Sequence, residues 1–145
     1  MVVTWFLILK SFYNMNTTTQ LALITWARMT VAQLKASAPQ DMGEGVMLTD
    51  AQFIEPQSVI QITVTLPDTI EVAPEEKEDF VEMQTGMICM GLCNDASSIE
   101  FLENGFTFKY VYFDTKGNLS HEIEITKDVF LRMLQEINEA MAEEE

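Results

Sequence analysis

Cys89 and Cys93, the only two cysteines of the chain, stand four residues apart, a spacing that places both thiols on one face of a helix. Paired thiolates ligate zinc, but a closed tetrahedral site needs four ligands. The single histidine, His121, falls in a different element, and no further cysteine exists. The neighbours Met87, Ile88, Met90 and Leu92 are apolar, so the pair reads as buried free thiols that fill space. A dithiol redox pair has two residues between its cysteines, and here there are three. The expectation is no metal and no cofactor.

His121 is the one side chain whose ordinary pKa suits proton transfer near neutrality. It shares the parity of Leu119, Ile123 and Ile125, which points it inward, while Glu122 and Glu124 point outward. A general base needs partners within reach and a cleft, and spacing alone shows no Ser/His/Asp or Cys/His nucleophile arrangement. Asp114-Thr-Lys-Gly-Asn118 lacks the alternating ligands and distal glutamate of a calcium loop, and a turn explains it. Gly43-Glu-Gly45 is too short for a phosphate-cradling loop and has no lysine. Asn16-Thr-Thr18 and Asn118-Leu-Ser120 match glycosylation sequons, which carry weight only in a secreted eukaryotic chain. No catalytic residue is assigned, and the expectation leans away from an enzyme.

What remains is surface for binding. Ten methionines are many for 145 residues. Met83, Met87 and Met90 recur at helical spacing; core filling is the preferred reading, and an adaptable binding groove is the alternative. Tyr110, Tyr112 and Phe113 crowd one strand, but only Lys109 and Lys116 accompany them, so the basic stripe of a single-strand nucleic-acid platform is missing. The candidate ligand or partner surface is therefore Tyr110, Tyr112, His121, Met83 and Met87.

Charge supports that reading. The chain carries 23 Asp+Glu against 8 Lys+Arg, a net of −15, which argues against nucleic-acid binding. The imbalance is one-sided: residues 1–67 sum to −1 and residues 68–145 to −14. A solvated acidic surface that keeps the chain soluble is the plainer account; an acidic face for a basic protein is the sharper one.

These residues must be positioned by a folded domain. With 48% hydrophobic and 21% charged residues, the chain has the composition of a globular protein and the length of one domain. From Thr17 to Ser37, Leu23, Ala27, Val31 and Leu34 recur at helical spacing behind a threonine cluster suited to capping, and Pro39 forbids continuation. Two extended runs follow, 46–54 and 59–66, joined by Glu55-Pro-Gln-Ser58 as a hairpin. Pro74 suits the first turn of a second helix that carries Phe80, Met83, Met87 and Met90. Ser97 or Ser98 is placed to cap a further short turn that ends at Asn104-Gly105. Phe106, Phe108, Tyr110 and Tyr112 alternate with Thr107, Lys109, Val111 and Phe113; Asp114-Thr-Lys-Gly117 turns the chain. Leu119, His121, Ile123 and Ile125 form the return strand. Thr126 caps a last helix striped by Val129, Phe130, Met133, Leu134, Ile137 and Met141.

The expected fold class is α+β: two antiparallel β-hairpins in one antiparallel sheet, with amphipathic helices packed on one face, in the order α-ββ-α-ββ-α. Residues 17–142 form the single domain and 143–145 an acidic tail. Residues 1–16 open on the apolar run Met1–Leu9, which is too short to cross a bilayer and has no basic residues before it. It reads as a packed N-terminal segment, or as an extension upstream of a start at Met15. The cytoplasm is favoured over the envelope, and membrane association is not the expected role.

The segment from Leu92-Cys93 to Ile125, punctuated by Phe101-Leu-Glu-Asn-Gly105, Phe108-Lys-Tyr110-Val-Tyr112 and Asp114-Thr-Lys-Gly117, resembles a group of small bacterial α+β domains, often of the cell envelope. Ala38-Pro-Gln-Asp-Met-Gly-Glu-Gly45 fits the loop that precedes their first hairpin, and the resemblance spans residues 20–126. Members often carry a further cysteine near the end of the last strand; Thr126-Lys-Asp128 has none, so the disulfide the resemblance implies is not carried over. Size, acidity and element order are also similar to type III secretion chaperones, by analogy. The resulting expectation is a non-enzymatic protein-interaction module with a protein partner or a second copy of itself. The alternatives are a small-ligand-binding or enzymatic domain with a pocket near His121, and an envelope-associated domain attached through residues 1–27.

Overall fold

The chain begins its regular structure with helix α1, Thr17–Ser37, in a computed structural model that describes residues 17–70 and 72–143. The readings placed on residues 1–16 and on Glu144-Glu145 lie outside the described residues. Strand β1 is the two-residue Gln40–Asp41, and β2, Met47–Ile54, meets β3, Val59–Thr65, across a short 3-10 turn at Glu55–Gln57. Helices α2, Lys77–Leu92, and α3, Ala96–Glu103, lead to β4, Thr107–Phe113, then β5, Leu119–Ile125, and finally α4, Lys127–Glu143. Glu143, expected in a tail, is the last residue of α4.

The five strands form one sheet in the order β1-β2-β3-β4-β5. Both expected hairpins are present, but the sheet is mixed, because β3 and β4 pair in parallel. The crossover explains this correction to the all-antiparallel expectation: two helices between β3 and β4 carry the chain back to its starting end. Three rows cross the inner face in register. They are Phe53–Ile60–Phe108–Ile125, Ala51–Ile62–Tyr110–Ile123 and Leu48–Val64–Tyr112–His121.

Two bulges set which side chains join those rows. Leu48 and Ala51 are three residues apart and would face opposite ways in a regular strand, but the extra Thr49 turns both inward. On β5 the extra Ser120 has the opposite result. Tyr112 pairs with His121 while Phe113 pairs with Leu119, so Leu119 leaves the inner face and is 55% exposed. Simple alternation had placed Leu119 beside His121.

Helix α1 buries Leu23, Ala27 and Val31 over the β2 side, while α2 and α4 pack together over β5. Between them Phe101 of α3 fills the centre, its ring 4.9 Å from Trp26, 5.0 Å from Phe106 and 6.2 Å from Phe108. The caps are local chemistry. Asp95, rather than either serine, caps α3: its carboxylate accepts from Ser97 N at 3.1 Å, Ser97 Oγ at 2.6 Å and Ser98 Oγ at 2.9 Å. Thr126 Oγ1 accepts from Val129 N at 3.2 Å at the start of α4. The outer face of the sheet mixes Gln61, Thr63, Thr65 and Lys109 with the apolar Val111, Phe113 and Leu119, and Lys109 Nζ lies 3.5 Å from Glu122 Oε2.

Candidate functional site: an apolar groove

Between α2 and the loop that follows β1, above the ends of the middle strands, lies a groove of about 730 Å3. Its floor is Val64 and Leu66 from the end of β3, with Tyr110 and Tyr112 from β4. One wall is α2, where Phe80, Met83, Gln84, Met87, Ile88 and Gly91 recur on one helical face. The other wall is the segment Met42–Val46 that joins β1 to β2. This second wall is built by left-handed backbone at three consecutive residues: Gly43 at φ 115°, Glu44 at 56° and Gly45 at 84°. At Gly45 a Cβ would sit 3.3 Å from Pro67 Cβ, so close approach as well as φ requires glycine there.

Four of the five candidate surface residues meet in this groove. Tyr110 and Tyr112 lie in the floor, and Met83 and Met87 stand on the α2 wall, 54% and 60% exposed. Core filling, the preferred reading of the methionine stripe, is thereby corrected: Met83, Met87 and Met90 are all exposed, because α2 buries its other side, with Thr85 and Cys89, towards the core. His121, the fifth residue, is 6% exposed and one ring removed from the groove. Its imidazole stacks on Tyr112 with centroids 4.3 Å apart, and it meets the edge of Phe80 at 4.9 Å.

The cysteine pair also divides. Cys89 is buried, whereas Cys93 is exposed, with its Sγ donating to Met90 O at 3.0 Å. Helical spacing puts both on one face, and Cys93, the C-cap of α2, still donates its N–H to Cys89 O at 3.0 Å; it stands at the end of the helix, where it is left exposed. Residues that the sequence reading did not assign to the surface include Met42, Val46, Ile70 and Gln84. For Met42 a signal was available in its place beside Gly43-Glu-Gly45: a large apolar side chain in a loop has no core of its own to enter.

The groove is chemically quiet. Burial drives the Tyr110 phenol far above its ordinary range and pushes Tyr112 up to about 12. The Tyr112 hydroxyl donates to Gln84 Oε1 at 3.3 Å, which ties floor to wall. Burial, reinforced by the Lys77 ammonium, lowers His121 to about 4, so the imidazole is neutral near pH 7. Its Nδ1 lies 3.0 Å from Ser120 Oγ, and its buried Nε2 has no hydrogen-bond partner among the described residues. Cys89 is pushed up to about 11 by burial and then by Cys93, against a smaller lowering by Arg132. Among the described residues, Glu44 is the one charged residue in the lining of the groove. Among the described residues, no three His, Cys, Asp or Glu side chains converge as a metal site. No helix among them is long and apolar enough to cross a membrane. Residues 17–27, the last eleven of the 27 considered as an attachment, form part of α1, whose Leu23 and Ala27 are committed to the core.

The chain matches no protein-family model and no curated protein. Its fold is nonetheless shared with solved structures. The pilotin EpsS of the Vibrio vulnificus type 2 secretion system superposes with a TM-score of 0.59 at 15% identity, covering 75% of this chain and 92% of that one. The type II secretion system pilotin AspS of Vibrio cholerae gives 0.57 at 15% identity, over 76% and 94%. A secreted-protein candidate of Pseudomonas aeruginosa gives 0.59 at 12%, over 76% and 94%. The expected resemblance to small bacterial α+β domains is thus met at the level of the fold, which the chain shares with type II secretion pilotins.

Proposed function

We propose that this chain is a non-enzymatic protein-interaction module of a secretion apparatus, which holds a segment of a larger protein in the groove between α2 and the sheet. The observation that carries the reading is the exposed pair Met83 and Met87 over the Tyr110–Tyr112 floor. A folded chain leaves so much apolar surface in water where a partner covers it. Flexible thioethers adapt to varied apolar side chains, and a concave wall of one helix above a sheet accepts the apolar face of a docking segment. The neutral, high-pKa floor suits binding rather than proton transfer. The fold shared with pilotins of type II secretion systems agrees with a protein partner and with work at the envelope.

The test is site-specific photo-crosslinking in the native cell. A photoreactive side chain at Met87 gives one discrete protein adduct, the same group at Thr63 on the outer sheet face gives none, and Met83→Glu removes the adduct. Equal adducts from both positions, or none from Met87, refute the reading.

A further inference from the structure

A second concavity of about 590 Å3 adjoins the groove and shares Leu66 and Ile70 with it. Unlike the groove it is charged: Asp68, Glu76 and Asp114 line it with Lys116. The Asp114 carboxylate accepts from Lys116 N at 2.9 Å and Asn118 N at 2.8 Å, and these backbone donors hold it below the usual carboxylate range, so it is ionised. Asp68 Oδ1 accepts from the Thr115 hydroxyl, which fixes its carboxylate beside the same turn. With Glu44 of the groove, the described residues of the joined surface present four carboxylates to one ammonium.

We propose that the occupant is an amphipathic, net-cationic segment of the partner protein. Its apolar side chains lie on the methionine and tyrosine stretch, and a lysine or arginine at one end passes Ile70 into the Asp68–Glu76–Asp114 pocket. This inference rests on the docking role proposed above and adds the chemistry and direction of the partner. Charge decides between occupants. A second copy of a chain that carries −15 meets long-range repulsion, as does an anionic lipid surface, whereas a basic segment is attracted. An apolar groove alone accepts an apolar segment either way round; an acidic pocket at one end specifies its polarity.

The test uses the whole chain and fluorescently labelled synthetic helices of about five turns. Three share one apolar face and differ in carrying Lys/Arg, Gln or Glu on the polar face; a fourth has the cationic composition in scrambled order. Anisotropy is expected to show the cationic amphipathic peptide binding about tenfold more tightly than the Gln peptide, with the gap narrowing as salt rises. The Glu and scrambled peptides bind weakest. Asp68→Asn with Glu76→Gln closes the gap and leaves the Gln peptide unchanged. Met87→Glu weakens all amphipathic peptides although it adds negative charge, whereas pure charge attraction would strengthen the cationic ones. Equal binding of the Lys/Arg and Gln peptides, or a gap that survives the double variant, overturns the cationic assignment and leaves the docking role standing. Scrambled peptide as tight as amphipathic, or indifference to Met87→Glu, overturns both. Concentration-dependent self-association that competes with peptide places a second copy in the groove and refutes the proposal. Circular dichroism confirms that each variant is folded.

Discussion

Tyr112 and His121 face each other across β4 and β5 in direct register, and their rings stack 17° from parallel, so the groove floor rests on a buried imidazole. The electron-rich phenol covers one face of the imidazole and Phe80 presents to it edge-on, while burial strips away the water that a charged imidazolium would need. The floor is thus shaped by a histidine that serves as a neutral aromatic.

That arrangement has a consequence for stability against pH. In the unfolded chain His121 titrates near its ordinary value of 6.5; in the fold it is lowered to about 4, by burial first and Lys77 second. Between these values the unfolded state binds the extra proton. The contribution of the neutral imidazole is complete above pH 6.5 and is lost progressively as pH falls towards 4, by roughly 2–3 kcal/mol. His121→Phe, which keeps the aromatic stack, is expected to flatten the slope of urea-unfolding free energy between pH 6.5 and 4.5 relative to the parent. An identical slope in the two proteins contradicts the assignment.

The two thiols differ in reactivity. Cys93 is exposed, whereas Cys89 is buried with its pKa pushed up to about 11, and the thiolate is the reactive form. A maleimide at pH 7.5 is expected to modify a single thiol of the folded chain, and Cys93→Ser to remove that labelling. Both thiols react once urea unfolds the parent. Mass spectrometry of the labelled chain reads the outcome.

Gly45 links loop conformation to the groove wall. Gly45→Ala places a Cβ on a residue at φ 84° and within 3.3 Å of Pro67 Cβ. The expected cost is about 1–2 kcal/mol, visible as a lower Tm. Weaker binding of groove peptides accompanies it, since the wall carrying Met42 must shift. Unchanged stability shows that the loop relaxes freely.

Phe101 is the central aromatic of the core, almost fully enclosed and within ring contact of Trp26, Phe106 and Phe108. Phe101→Ala removes those contacts and leaves a cavity, at an expected cost of about 3–5 kcal/mol by urea unfolding. Met83→Glu on the exposed wall changes stability by no more than about 0.5 kcal/mol. Comparable losses from both variants indicate that Met83 belongs to the core.

Local pattern by itself determined most of the elements. Strict alternation from Phe106 to Tyr112 made β4 and its inward face legible, because successive side chains in a strand point to opposite sides. The helical stripe of α4 and its Thr126 cap were legible for the same kind of reason: both depend on residues within one turn of each other. The net acidity and its concentration after residue 67 needed only a count.

Tertiary structure decided the rest. Whether β3 meets β4 head to head or side by side depends on where the intervening helices deliver the chain. The bulges at Thr49 and Ser120, which bring Leu48 inward and send Leu119 out, are set by pairing with another strand. Above all, Met83 and Met87 repeat at the same spacing as any buried stripe, and periodicity records only that they share a helical face. That this face looks onto an open gap follows from where α2 and the Met42–Val46 segment come to rest on the sheet, and so the groove exists only in three dimensions.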